Sequence, residues 1–357
     1  MIGTSVQPFV VALVVPLTGS ASIYAPSCVL CAQLAAEEIN DAGGLQGRPL
    51  TVRIVDGSGD PARVGDEVDR LVSRGDADAI VGWHISAVRR HVTPVLRRRV
   101  PYIYTALFEG GETTPGVIAI GETPDIQLRP GLCWLADEVG VRNWFVIGND
   151  YVWPRRSAES AVELLGGRDD TRVVDVRFAP LGTSEFRPVL DRIGRSSATG
   201  VLMLLVGRDA VSFHRQFAAL GLEDKCARFS PLMDESMLAE IGPGASQDVF
   251  TASGYFESLP TLESLEFGGR YSRRFGVGAP SLSGPGESCY TGLLTLAELV
   301  RRTGSTEGDR LAAVGRVTVA GPRGLLRVDA SETSTPTRQR VYMASADRTG
   351  FDVLDSL

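Results

Sequence analysis

The sequence predicts an α/β fold made of two doubly wound parallel-sheet lobes. Short β-branched runs alternate with helix-length stretches through the first two-thirds of the chain, the pattern of βαβ units. More than ten strand candidates are too many for one sheet of ordinary width. The chain is also 357 residues long, and one core rarely grows beyond roughly 250–300 residues.

The elements follow in order. Phe9–Val15 is a β-branched strand closed by Pro16, and a loop follows over 19–24. The next helix carries Cys28, Cys31, Ala35 and Ile39 on one apolar stripe and stops at Gly43 and Gly44. Leu50, Val52 and Ile54 alternate with polar residues as in a strand. A helix is expected over 65–74 and a strand over 77–81. Ser86 can cap the next helix, which Pro94 must kink or end. Strands are expected over 100–104 and 117–120. The pattern then restarts with a helix over 125–139, a strand over 144–147 and a helix over 154–165, where Pro154 suits the first turn. Strands over 173–178, 201–206 and 228–230 alternate with helices over 184–193, 209–220 and 236–241. A strand over 248–255 and two longer helices, 262–275 and 286–302, precede a tail of short β pieces (325–328, 338–343, 351–354). No Ser/Gly-rich linker marks a boundary, so the lobes share several crossings of the chain.

With 36 basic and 43 acidic residues the net charge is -7, which argues against a nucleic-acid surface, because that needs a basic stripe. The Arg97–Arg99 and Arg155–Arg156 runs are short and read as solvated helix faces. No apolar run reaches the ~18 residues that span a bilayer. Met1 to Pro16 lacks a basic start and a small-residue cleavage site, so no secretory signal is expected. A cytoplasmic location follows if this is the full chain, and a periplasmic or lipid-anchored one if a leader was removed. Cys28 and Cys31 form a CxxC that reads as a redox pair or, on its helical spacing, as buried structural thiols. No second pair or neighbouring His completes a metal site, so neither metal nor cofactor is expected.

Ligands of open parallel sheets bind outside the carboxyl ends of the strands. Residues just after strands are therefore the candidates: Trp83, His84 and Ser86; Tyr104, Thr105 and Ala106; Tyr151 and Trp153; Gly207; and Asp234 with Glu235. Aromatics with polar tips, hydroxyls and a few carboxylates suit a small-solute site. Ser86 either donates to a ligand together with free helix N–H groups or only caps its helix. His84 beside a hydroxyl invites a catalytic reading, but no strand–GxSxG–helix elbow is present. Glu109 and Glu257 read as an acid/base pair or as groups of loops and lobe contacts. The Gly43–Gly47 loop follows a helix rather than a strand, so it is no dinucleotide fingerprint. No catalytic residue is assigned, and an amide hydrolase is the rival enzyme reading.

The phrases VVPLTGSASIYAPS, AAEEINDAGGLQGRPL, IVDGSGDPAR and IVGWHIS resemble the type I periplasmic binding proteins, the leucine/isoleucine/valine-binding group. PYIYTALFEGGE and VIGNDYVWPRRSA are similar to the branch of urea- and short-chain-amide-binding proteins and the amide sensor that controls aliphatic amidase expression. The resemblance implies lobes of residues 1–120 with 255–323 and 121–254 with 324–357, joined by a three-segment hinge that closes on a ligand. It implies that Ser86 bonds the ligand's carbonyl or carboxylate, that Tyr104 stands on the same lobe, and that Tyr151 and Trp153 close over the ligand. Trp153 stands where tyrosine is frequent, and His84 where an aromatic is. Ala106 falls where a threonine supports the serine, with Thr105 as its stand-in. The expected solute is a short-chain amide or urea. An amino acid is the alternative, its ammonium paired by Asp234 or Glu235. The implied partner is the membrane permease of an ABC transporter or a cytoplasmic regulator protein; a homo-oligomer stays open.

Overall fold

A computed structural model describes residues 7–96, 98–330, 339–347 and 350–357. The first unit runs β1 (Phe9–Val15), α1 (Ala25–Asp41), β2 (Leu50–Asp56), α2 (Pro61–Ser73), β3 (Ala79–Gly82), α3 (Ser86–Leu96), β4 (Tyr102–Tyr104) and β5 (Val117–Ala119). The second runs α4 (Leu128–Trp134), β6 (Asn143–Asn149), α5 (Val152–Gly166), β7 (Arg172–Ala179), α6 (Arg187–Arg195), β8 (Gly200–Leu204), α7 (Gly207–Ala219), β9 (Ala227–Phe229), α8 (Glu235–Ile241) and β10 (Val249–Ser253). Then come α9 (Leu262–Phe275), α10 (Gly284–Thr303), α11 (Gly308–Ala312), β11 (Arg316–Gly321), β12 (Gly324–Asp329), β13 (Tyr342–Ala346) and β14 (Phe351–Ser356).

The first sheet has the parallel order β2-β1-β3-β4-β5. The second repeats that winding as β7-β6-β8-β9-β10 and adds β13 and β14 antiparallel beside β10. Central strands covered on both faces read as unbroken apolar runs. Accordingly β1 and β8 are buried almost throughout. Helices α9 and α10 return to the first unit, where α10 lies along α1 and crosses β3 and β4. The Cys28, Cys31, Ala35 and Ile39 stripe faces this seam and is buried. Burial pushes the Cys28 and Cys31 thiols well up, the reverse of an activated redox pair.

Several bounds differ from expectation for local reasons. Helix α2 starts four residues early because Asp60 accepts the Ala62 N–H at 2.9 Å and Pro61 fits the first turn. Helix α3 runs through Pro94 to Leu96, the proline sitting in its last turn. Helix α4 starts late, then widens into a π turn over Leu135–Val139 that ends at left-handed Gly140. β11 is an additional strand paired to β12 in a hairpin, and the expected division at 323/324 falls in the turn of that hairpin.

Candidate functional site

Both sheets reverse their strand order at one place, and such switch points leave a crevice at the carboxyl ends of the strands. In the first sheet it lies between β1 and β3, which end at Val15 and Gly82; in the second it lies between β6 and β8, which end at Asn149 and Leu204. The two crevices meet. The Tyr24 hydroxyl accepts the Gly207 N–H at 3.0 Å, and the Ser20 hydroxyl bonds the Asp209 carboxylate. Asn149 spans its own switch point, accepting the Val206 N–H at 2.8 Å and donating to Asp209 Oδ2 at 2.7 Å. Gly207 is left-handed (φ 50), and a Cβ there would strike the Ser20 carbonyl. Only glycine lets the lobes approach this closely.

On the first lobe, Ser86 opens α3. The first helical bonds go to the Ile85 carbonyl, from the Val88 and Arg89 N–H groups at 3.0 and 3.3 Å. The Ser86 hydroxyl therefore caps nothing: it is buried beside Tyr104 with no hydrogen-bond partner of good geometry. The Tyr104 hydroxyl donates to the His84 carbonyl at 2.7 Å. His84 meets the Tyr102 hydroxyl through Nε2 at 2.9 Å and the Ile85 carbonyl through Nδ1 at 3.2 Å. Neither ring nitrogen faces Ser86, so no Ser–His dyad forms. Burial lowers the His84 pKa to about 4, leaving it neutral near pH 7. The Thr105 hydroxyl donates to the Gly82 carbonyl at 3.2 Å and does not support Ser86. Ala106 is buried with its carbonyl against Gly121. Glu109 is paired with Arg89 at 2.7 Å, whereas the Glu257 carboxyl accepts from the Leu282 backbone, so these two carboxylates serve different clusters.

On the second lobe, Tyr151 precedes α5 and its ring lies 6.4 Å from that of buried Trp153. The Tyr151 phenol is pushed up by burial and then by the Tyr104 and Tyr24 phenols close to it. Tyr24 joins this group to the next, because its ring packs 4.5 Å from that of Trp83.

Beyond Trp83 lies a cavity of about 30 Å³, room for about one water. Trp83, Thr105, Asp234 and Glu235 line it together with Tyr255 and Arg323. Asp234 caps α8, one oxygen accepting the Met237 N–H at 2.9 Å; its other oxygen makes no well-formed hydrogen bond among the described residues, although the Ser283 hydroxyl lies near the carboxyl and partly offsets its rise. Glu235 likewise keeps Oε2 unpartnered, as does the Tyr255 hydroxyl. Burial raises the Asp234 carboxyl to about 7 and pushes Glu235 well up, aided by Asp234 beside it. Of the residues expected from sequence, Ser86, His84, Tyr104, Ala106, Tyr151, Trp153 and Gly207 stand outside this lining. Tyr24, Tyr255 and Arg323 escaped sequence reasoning. The only signal for Tyr24 was its place just beyond the first post-strand loop.

A family model described as periplasmic binding protein matches residues 8–350. Leu/Ile/Val-binding protein homolog 6 of Brucella melitensis is 26% identical over 294 residues, covering 80% of this chain and 74% of that protein. Among solved structures, the solute binding protein of an ABC transporter from Rhodopseudomonas palustris HaA2, in complex with p-hydroxybenzoic acid, superposes with a TM-score of 0.88 at 18% identity, over 98% of this chain and 97% of that one. The branched-chain amino acid transporter substrate binding protein LivJ from Streptococcus pneumoniae, in complex with isoleucine, gives 0.84 at 16% identity, over 98% and 100%. At these identities the structural likeness speaks to the fold.

Proposed function

Because this chain belongs to the periplasmic binding protein family, we propose that it captures one small amine-bearing solute, an amino acid, between its lobes and presents it to the permease of an ABC transporter. The carrying observation is a pair of buried carboxyl oxygens, on Asp234 and Glu235 of the cavity lining, that make no well-formed hydrogen bond among the described residues. A buried carboxyl group without a donor is costly, and a ligand ammonium supplies several donors and a charge. The cation at that wall, Arg323, is already engaged by Glu122 and Glu287. A benzoate-type anion would therefore meet carboxyl groups there rather than a free cation. The solute's carboxylate is served by the unpartnered Ser86 hydroxyl and the start of α3.

The lobes divide after 120, after 254 and beyond the β11–β12 hairpin, and they swing about these crossings. Tyr151 and Trp153 cover the ligand as the lobes close. A short-chain amide or urea, sensed with a regulator protein, is the second reading. It is favoured by one observation: a carboxyl with a pKa near 7 is partly protonated at neutral pH, and a protonated carboxyl donates to an amide carbonyl while accepting from its NH2.

A thermal-shift screen of common amino acids, acetamide, urea and benzoate tests this. A solute at 100 times its Kd adds about 2.7 kcal/mol, a shift of several degrees. Stabilisation by one or a few amino acids is expected. Stabilisation by acetamide or urea alone would replace the first reading with the second, and no shift with any amino acid would remove the first.

A further inference from the structure

The hinge side of the cavity holds a buried ion cluster centred on Arg323. Arg323 stands in the turn between β11 and β12 and is 6% exposed. Its Nη1 donates to Glu122 Oε1 at 3.0 Å and to Gln339 Oε1 at 2.6 Å. Its Nε donates to Glu287 Oε2 at 2.6 Å, and Nη2 contacts the same oxygen. Glu122 Oε1 also accepts the Gly254 N–H at 3.1 Å. These partners come from different stretches of chain. Glu122 follows β5 on the first crossing, Gly254 follows β10 on the second, and Gln339 precedes β13 on the third. Glu287 is fully buried on α10. The position of Gly254 is built around the cluster, since a Cβ there would lie 2.7 Å from Arg323 Nη1 and 2.8 Å from Glu122 Oε1.

We propose that Arg323 is the positioning residue of the hinge. One guanidinium holds the three crossings to each other and to α10, and thereby sets the range of lobe orientations open to the chain. This rests on the two-lobe closure reading above. The planar fork of arginine suits several acceptors at fixed angles, which a lysine ammonium does not reproduce. Breaking one arm leaves a buried charge without its partner, so the crossings are held in few discrete arrangements. Arg323 also lines the cavity, so a solute packed on that wall meets the clamp directly and closure and binding share one group.

Single-molecule energy transfer on the full chain without solute tests the clamp. One dye is placed on each lobe (Arg74→Cys and Arg195→Cys) in a Cys133→Ser background. Arg323→Met, Arg323→Lys, Glu122→Gln and Gly254→Ala are compared with the parent, with circular dichroism selecting the variants that remain folded. The expected result is a broadened interlobe distance distribution and an open-to-closed ratio moved by roughly fivefold or more, in Gly254→Ala and Glu122→Gln as well as Arg323→Met. Arg323→Lys should not restore the parent distribution. Folded variants whose distributions coincide with the parent's overturn the clamp alone. A parent that holds one narrow distance, with and without added isoleucine, overturns the closure reading and the clamp with it.

Discussion

The Ser86 hydroxyl is buried without a protein partner while the Ile85 carbonyl takes the first turn of α3. Deleting it removes no well-formed internal hydrogen bond, only a contact with the Tyr104 phenol. Ser86→Ala should change unfolding free energy by less than about 0.5 kcal/mol yet weaken solute binding by roughly tenfold, as read by denaturant titration beside calorimetry. Asp234 has two duties, because one oxygen caps α8 while the residue also lines the cavity. Its carboxyl is raised from 3.8 to about 7 by burial. The folded chain thus binds that proton more tightly than the unfolded chain, so the associated stability is complete below pH 4 and is lost as pH rises through 7. Asp234→Asn keeps a good cap. It should remove a pH-dependent loss on the order of 3 kcal/mol between pH 4.5 and 8, visible as a flatter plot of melting temperature against pH. Ser86, Trp83, Asp234 and Glu235 could be singled out in the sequence because each lies in the turn or helix start that comes after a strand. Tyr24 and Arg323 were not, because their partners lie far along the chain: Gly207 is 183 residues from Tyr24, and Glu122 is 201 residues from Arg323.

At the scale of elements, the start of α7 decides how near the lobes come. Gly207 is left-handed, and its α-carbon faces the Ser20 carbonyl across the seam. Gly207→Ala should leave each lobe folded while holding the seam apart. The expected readout is a roughly tenfold or larger loss of solute affinity and a larger radius of gyration in the presence of solute, measured by titration and small-angle scattering. Unchanged affinity would mean that the Tyr24–Gly207 contact has no part in closure. Most elements were legible because hydrophobic period and punctuation agree, as in β1 before Pro16 and α1 before Gly43. The failures have local causes. The helix before β6 starts late because Gln127 turns inward to donate to the Pro231 and Ala252 carbonyls, at 3.0 and 2.6 Å. β11 carries the same alternation, with Val317 and Val319 buried between exposed residues, and was readable as a strand although it was not singled out.

For the whole molecule, two copies of one winding place two switch points face to face; the two windings were inferable from the count and alternation of strands, but the strand order and the facing of the switch points were not. The crossings were not. Their geometry depends on a buried cluster whose members come from five separate elements and turns. Solute chemistry is only partly written in the sequence, because Asp234 and Glu235 serve an ammonium when ionised and an amide when protonated. The decisive measurement is calorimetric affinity for the stabilising amino acid at pH 5.5 and pH 8, in buffers of different ionisation heat. With an Asp234 carboxyl near 7, an ammonium-binding site must gain affinity as the acid ionises. Affinity should rise roughly tenfold or more toward pH 8, with proton release at the lower pH. Affinity that falls toward pH 8, or binding of acetamide or urea with no binding of amino acids, would contradict the account.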